Sequence, residues 1–414
     1  METVVDFSIR HRWVTAYLDR VNPGRWTASG CSRRVGLLQL VLNRYGQSMA
    51  RSTHVRRPAT LASLAAELGV SRTTVSNAYN RPDQLSPELR RRVLETARRL
   101  GYPGPDPVAR SLRTRKAGAV GLLLTENLSY AFRDPAALGF LEGLALACEG
   151  AGQGLHLVPV NPEREDVAAV HRAGVDGFVV YSVPDDDPHL AAVLSRPVPT
   201  VVADQPHVES VDRVGIDDRG AITALAQRLI AFGHRRVGVV CMRLARDRND
   251  GFASPERAET ATFHVQRARL AGLSDAFTAV GVDWSRVPVV ERFDHSVSSG
   301  ASAAAQLLDA DPHVTALICT SDILALGALA EARRRGLRVP QDLTITGFDG
   351  IADADRVGLT TVRQPVLEKG RAAGKLLLAS VDPSRPREIT LDTELVPGAT
   401  AAPPRTAEER WFGP

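Results

Sequence analysis

The apolar positions of this chain change period once, and the change divides it. Between Thr60 and Leu100 they recur at helical spacing, whereas from Ala117 onward they gather into short continuous runs. Leu61, Leu64, Ala65 and Leu68 fall at i, i+3, i+4 and i+7, which predicts a helix that Thr60 can cap and Gly69 can close. Ser71 then caps a second helix with Val75, Ala78 and Tyr79 turned inward and Arg72, Thr73, Ser76, Asn77 and Asn80 outward. Ser86 and Pro87 start a third, with Leu89, Val93, Ala97 and Leu100 on its inner side. Three such helices make a minimal core. Gly101 to Pro107 is rich in Gly and Pro and reads as a linker. The runs that follow, AVGLLLT, LHLVPV, GFVVYSV, PTVVAD, RRVGVVCM, VPVVERF, TALICTS and DLTITGFD, alternate with helical stretches, so the larger part is an α/β chain. Continuous apolar strands imply parallel sheets covered on both faces, and their number suits two lobes better than one.

Charge sharpens this division. Between Arg51 and Lys116 there are fourteen basic residues against five acidic ones, while the net charge of all 414 residues is only +4. The excess is therefore local and suits a polyanionic partner. Apolar and charged fractions of 44% and 24% are those of a globular protein long enough for two or three folding units. Cys31, Cys148, Cys241 and Cys319 have no metal-ligand spacing and are expected to be reduced and mostly buried. No run is long enough for a membrane span. Arg33, Arg34 and VGLLQLVL resemble an export signal, but the run is short and contains Gln39, so a cytoplasmic location is expected.

Between Gly69 and Pro82 there is no acidic residue. Arg, Asn and hydroxyl side chains can reach base edges where phosphates would repel carboxylates, so the outer face of the second helix suits a major groove. The bland reading is an ordinary helical hairpin. The ordered stretch GVSRTTVSNAYNRPDQLSPELRRRVLETARRLGYPGPDPVARSL outweighs it, because it closely resembles the DNA-binding headpiece and hinge helix of the lactose-repressor-like (LacI/GalR) family of bacterial transcription regulators. The resemblance gives base contact to Arg72, Thr73 and Asn77, and places Thr60, Leu61, Ser71, Thr74, Ser76 and Asn80 near backbone phosphates. It also makes Leu112, with Ala109 and Arg113 beside it, the wedge that enters the minor groove when two subunits meet. The partner implied is a pseudo-palindromic double-stranded operator bound by a homodimer, and Met49, opening MARSTHVRRPATLASL, looks like a natural family start. Residues 1–55 are then a poorly ordered extension, 58–104 the headpiece, 105–116 hinge and linker, 117–402 the core and 403–414 a tail.

The resemblance extends over the core, to the two-lobed fold shared with periplasmic binding proteins. It implies a first lobe of residues 117–215 plus a returning helix near 366–380, a second lobe of 216–362, and a small effector in the cleft between them. Ligands in open α/β sheets sit beyond the carboxyl ends of strands, and there lie Asp204, Ser321, Asp349 and Gln364, with Arg269 on the helix after RRVGVVCM. Taken singly, an Asp at a strand end is more often a helix cap, a reading kept for Asp322. Tyr130 and Phe132 close over a ring face or merely fill a lobe edge. A sugar-like effector is expected, with a purine-like one as the alternative, and the family's GFDD stands here as GFDG. No cofactor or metal is implied. Catalysis finds no support: the Gly150, Gly152, Gly154 string precedes a strand rather than a helix, and GxxxxGK[ST], GxSxG and HExxH are absent. The rival from another class is a solute-binding protein of the same core fold that never touches DNA.

Overall fold

The computed structural model describes residues 59–106, 111–112, 114–124, 131–160, 166–379 and 385–405. The N-terminal extension with Met49, the hinge residues Ala109 and Arg113, Tyr130 and most of the tail lie outside them. Two compact units divide near Arg110.

The first unit has helices α1 (Leu61–Leu68), α2 (Arg72–Asn80) and α3 (Pro87–Leu100). Each begins at a hydroxyl residue. Thr60 accepts from the Ser63 amide while Ser63 answers the Thr60 amide, Ser71 accepts from Thr74, and Ser86 accepts from Leu89. Gly69 and Gly101 end α1 and α3 at φ +66° and +69°, where a Cβ would be strained. Leu64, Ala65, Val75, Ala78, Val93 and Ala97 form the core, with Leu61, Leu68 and Leu100 packed at its edge.

The second unit carries two parallel sheets. The first orders its strands β11-β5-β4-β3-β1-β2, using β1 (Ala119–Leu124), β2 (Gly154–Val158), β3 (Gly177–Tyr181), β4 (Thr200–Ala203), β5 (Asp212–Ile216) and β11 (Glu388–Leu391). The second orders β7-β6-β8-β9, using β6 (Val237–Met242), β7 (Val289–Arg292), β8 (Ala316–Cys319) and β9 (Thr344–Thr346). Helices α4 (Pro135–Gly150), α5 (Ala168–Arg172), α6 (Pro188–Leu194) and α13 (Val366–Leu378) serve the first sheet. Helices α7 (Asp218–Phe232), α9 (His264–Thr278), α10 (Val297–Ala310) and α11 (Asp322–Arg334) serve the second, with the short α8 (Pro255–Glu259) and α12 (Ala352–Val357) beside it. Apolar clusters lie on both faces of each sheet, as continuous apolar strands require. The close approach of α4 to α13 depends on Gly143, where a Cβ would fall on the Leu367 carbonyl.

The C-terminal course is more involved than the strand pattern suggests. After β10 (Thr361–Arg363) the chain enters the first lobe for α13 and β11, then returns as β12 (Glu394–Val396), antiparallel to β10. The return is fixed by Thr400, which exchanges hydrogen bonds with Ile345, and by His234 Nε2, 2.9 Å from the Ala402 carbonyl. Three connections, near 217, 364 and 392, therefore join the lobes. Strand β11 is anchored to β5 by Arg387, whose Nη2 lies 2.5 Å from the buried Asp212.

Candidate nucleic-acid interface and effector cleft

On α2 the positions divide by burial. Arg72 and Thr73 are exposed, Ser76, Asn77 and Asn80 are half-buried, and Val75 and Ala78 are core. Ser71 and Thr74 spend their polar atoms on the cap, with their hydroxyls 2.8 Å apart. Asn80 turns back, donating to the Ser76 carbonyl at 3.0 Å, while Asn77 donates to Gln84 at 3.1 Å. Leu61 packs against the three-helix core. On α3, Arg91 and Arg99 form exposed pairs with Glu95 and Glu67. In the second unit, Ser111, Leu112 and Thr114 are helical and the Leu112 side chain is 77% exposed.

The cleft between the lobes holds a cavity of about 100 Å³. Of the residues singled out from the sequence, Asp204, Arg269, Asp349 and Gln364 line it. They are joined through one polar chain. The Lys369 ammonium, on α13 and 1% exposed, pairs with Asp204 Oδ1 at 2.6 Å, as an ion pair rather than an aligned hydrogen bond. It also donates to Gln364 Oε1 at 2.6 Å, and Gln364 Nε2 donates to Asp349 Oδ1 at 2.7 Å. Arg269 Nη1 stands 3.9 Å from that oxygen and donates to the Thr320 carbonyl at 2.6 Å, while Nε donates to Asp218 at 2.8 Å. Its guanidinium lies 3.6 Å from the centre of the Phe348 ring. The chain thus runs from the first lobe through a lobe connection into the second.

Burial sets the electrostatics. It pushes the Asp349 and Asp218 carboxyls above their ordinary range, and Arg269 opposes the shift in both. Burial, with the charges of Asp204, Asp134 and Asp349 nearby, raises the Tyr181 hydroxyl well above its usual value. Such a wall offers carboxylates, amides and a phenol to hydroxyl groups.

Ser321 and Asp322 take other parts. Ser321 caps α11 and lies 2.7 Å from His295 Nε2, and it is His295 that faces the cavity. His295 Nδ1 is 3.7 Å from Asp134 of the first lobe. This Asp–His–Ser row resembles a hydrolytic triad, yet the Ser321 side chain is buried and engaged as a cap. Asp322 is not the cap: its carboxylate accepts from the Gly350 and Ile351 amides and the Thr361 hydroxyl, holding the loop that carries Asp349. Gly350, the departure from GFDD, lies at φ +71°, where a Cβ would come within 2.6 Å of Arg363 Cα. Phe132 is 58% exposed and does not line the cavity.

The cavity also has walls that the sequence reading passed over: Asp134, Tyr181, Gln205, Arg243, Gln266 and His295. Tyr181 ends β3, Arg243 follows β6 and His295 lies beyond β7, so the rule of strand carboxyl ends, applied to every strand rather than to those closed by Asp, would have found them. Arg243 is buried against Phe263 and Phe293, 4.9 and 5.2 Å from their ring centres, and burial lowers its pKa to about 10.

Residues 226–401 match the periplasmic binding protein-like domain. An HTH-type transcriptional regulator of Mycolicibacterium smegmatis is 56% identical over 365 residues, 86% of this chain and all of that protein. The crystal structure of a LacI-family regulator from Corynebacterium glutamicum matches with a TM-score of 0.64 and 42% identity, over 83% of this chain and 98% of that one. A CelR regulator–cellobiose complex matches with a TM-score of 0.59 and 29% identity, over 83% of this chain and all of that one. With relatives of this identity spanning both the three-helix unit and the two lobes, the chain belongs to the LacI family of helix-turn-helix transcriptional regulators.

Proposed function

We propose that the protein is a repressor that binds a pseudo-palindromic operator as a homodimer in the cytoplasm and is released by a small polyhydroxylated, sugar-like effector. The division into headpiece (58–104), hinge (105–116) and core (117–402) belongs to this reading, with Arg72, Thr73 and Asn77 reading bases and Leu112 wedging the minor groove. The observation that carries the effector assignment is the buried chain from Lys369 and Asp204 through Gln364 to Asp349 and Arg269. Carboxylates and amides from both lobes converge on one cavity, which suits a ligand with several hydroxyls and favours closure around it. The cellobiose held by the CelR relative supports the same chemical class. We read the site as one that binds its ligand without transforming it. The test is a thermal-shift screen of the full chain against neutral mono- and disaccharides, sugar acids and purines, followed by operator titration with each hit. Stabilisation by sugars together with weakened operator binding is the expected outcome. Stabilisation by purines with tighter operator binding would replace induction by co-repression.

A further inference from the structure

The longest connection in the second lobe, Arg243 to Phe263, joins β6 to α9 and meets three parts of the core at once. It rests on Glu291 of β7, a carboxylate with no exposed surface. Glu291 Oε1 accepts from the Leu244 amide at 2.8 Å and Arg257 Nη2 at 3.0 Å, while Oε2 accepts from Asn249 at 2.8 Å and Arg257 Nε at 2.6 Å. Backbone pairing continues the seat, since Phe252 bridges Val290 antiparallel and the Ala253 amide donates to Val289. The same connection carries Arg243 and Phe263 into the cavity wall. At its far side it touches the first lobe. The Asp185 amide donates to the Thr262 carbonyl at 2.9 Å, and Arg246 reaches the Asp186 carbonyl at 3.4 Å.

We propose that Arg243–Phe263 is a strap that couples the effector wall to the contact between the lobes, and that Glu291, which does not line the cavity, is the positioning residue that seats it. The proposal rests on the reading of the cleft given above. A strap held at Leu244, Asn249 and Arg257 by one buried anion moves as a unit, so a ligand that displaces Arg243 or Phe263 also loads the Thr262–Asp185 bond on the opposite lobe. Four donors converge on the two Glu291 oxygens. A glutamine there brings its own donor against Asn249 and Arg257 and removes the charge that Arg257 answers, so the seat is lost while the hydrophobic packing of β7 stays.

The test is hydrogen exchange of the full chain without any ligand, which makes its failure independent of whether the cleft binds sugars. Glu291→Gln should speed exchange about tenfold or more at Leu244 and Ala253 and also at Asp185, with Val239 in the core of the second sheet unchanged. Asp185 is decisive because it belongs to the other lobe and makes no bond to Glu291. Pro184 and Pro188 bracket it, so few amides contribute to its peptide. If Glu291→Gln fails to fold, Arg257→Lys keeps the charge but gives up the two-pronged contact, and should raise exchange at Asp185 several-fold. Wild-type protection at Asp185 in a folded variant whose strap amides have opened would overturn the proposal.

Discussion

The outer face of α2 and the cleft share Arg, Asn or Gln and hydroxyl side chains, to which the cleft alone adds Asp and Lys, and they use the shared groups in opposite ways. On α2, Arg72 and Thr73 stand in solvent, and the helix is organised by local bonds such as Ser71 to Thr74. In the cleft, Asp204, Lys369, Gln364, Asp349 and Arg269 are buried, and Asp204 and Arg269 meet the 349–369 stretch from far along the chain. An exposed polar face retains its hydration until a partner replaces it, so it can be mutated at little cost to the fold. A buried polar chain must satisfy itself, so each member supports the others. The difference teaches where each unit's sensitivity lies: the headpiece in its small apolar core, the cleft in its charges.

The largest effect is expected in the cleft. Lys369→Met leaves Asp204 buried without its cation and should cost about 3 to 5 kcal/mol of core stability in urea melts. Adding Asp204→Asn should recover most of that loss, and recovery by the second substitution would locate the cost in the charge rather than in packing. Next comes the headpiece, whose small core makes it marginal. Leu64→Ala, at a fully buried position, should cost about 2 to 5 kcal/mol. It should abolish operator binding while the core transition in calorimetry stays where it was, and a shifted core transition would mean that the units do not fold separately.

Smaller effects separate the two surfaces by function. Arg72→Ala or Asn77→Ala should weaken the selected operator by about 1 to 3 kcal/mol and relax base preference at one position, read by sequence selection from a random pool. Neither should change the thermal shift produced by a cleft ligand. Asp349→Asn probes stability in the opposite direction. Because burial raises the Asp349 pKa in the folded state, that state holds its proton more tightly than the unfolded chain. Wild-type protein should therefore lose stability as pH rises above the ordinary carboxylate range near about 4, relative to an Asn variant that cannot ionise. At neutral pH the ligand-free variant should melt higher, and an identical pH dependence of the two melting curves would exclude the burial penalty at this site.

How much of this was legible in the sequence follows from the same difference. The headpiece is a local object: Thr60, Gly69, Ser71 and Ser86 sit within a few residues of the helices they begin or end, and the 3.6-residue period marks Leu64, Val75 and Val93 as core. The two sheets were also readable, because fully buried parallel strands are apolar without interruption. Strand β5 escaped notice because DRVGI carries two charged residues, and Asp212 is paired with Arg387 at the far end of the chain. The pair β10 and β12 was missed for a similar reason, since each has three residues and only the other defines it. In the cleft, Asp204, Asp349, Gln364 and Arg269 stood out through position and family likeness, whereas nothing local marks Lys369 or Glu291 as buried charges. Ser321 shows the converse, a residue with the right address whose hydroxyl is taken up by a helix cap and by His295.

The central claim is that a residue of the cleft governs DNA binding without touching DNA. It is tested most directly by titrating a fluorescent operator with wild-type protein and with Asp349→Asn, each with and without a saturating sugar that stabilises the wild type in the thermal-shift screen. Wild type should lose at least about tenfold in operator affinity on adding the sugar, a coupling of about 1.4 kcal/mol. Asp349→Asn should bind ligand-free operator as tightly as wild type and lose none of that affinity when the sugar is added. A variant that responds as fully as wild type, or one whose ligand-free operator binding is already abolished, would contradict the claim.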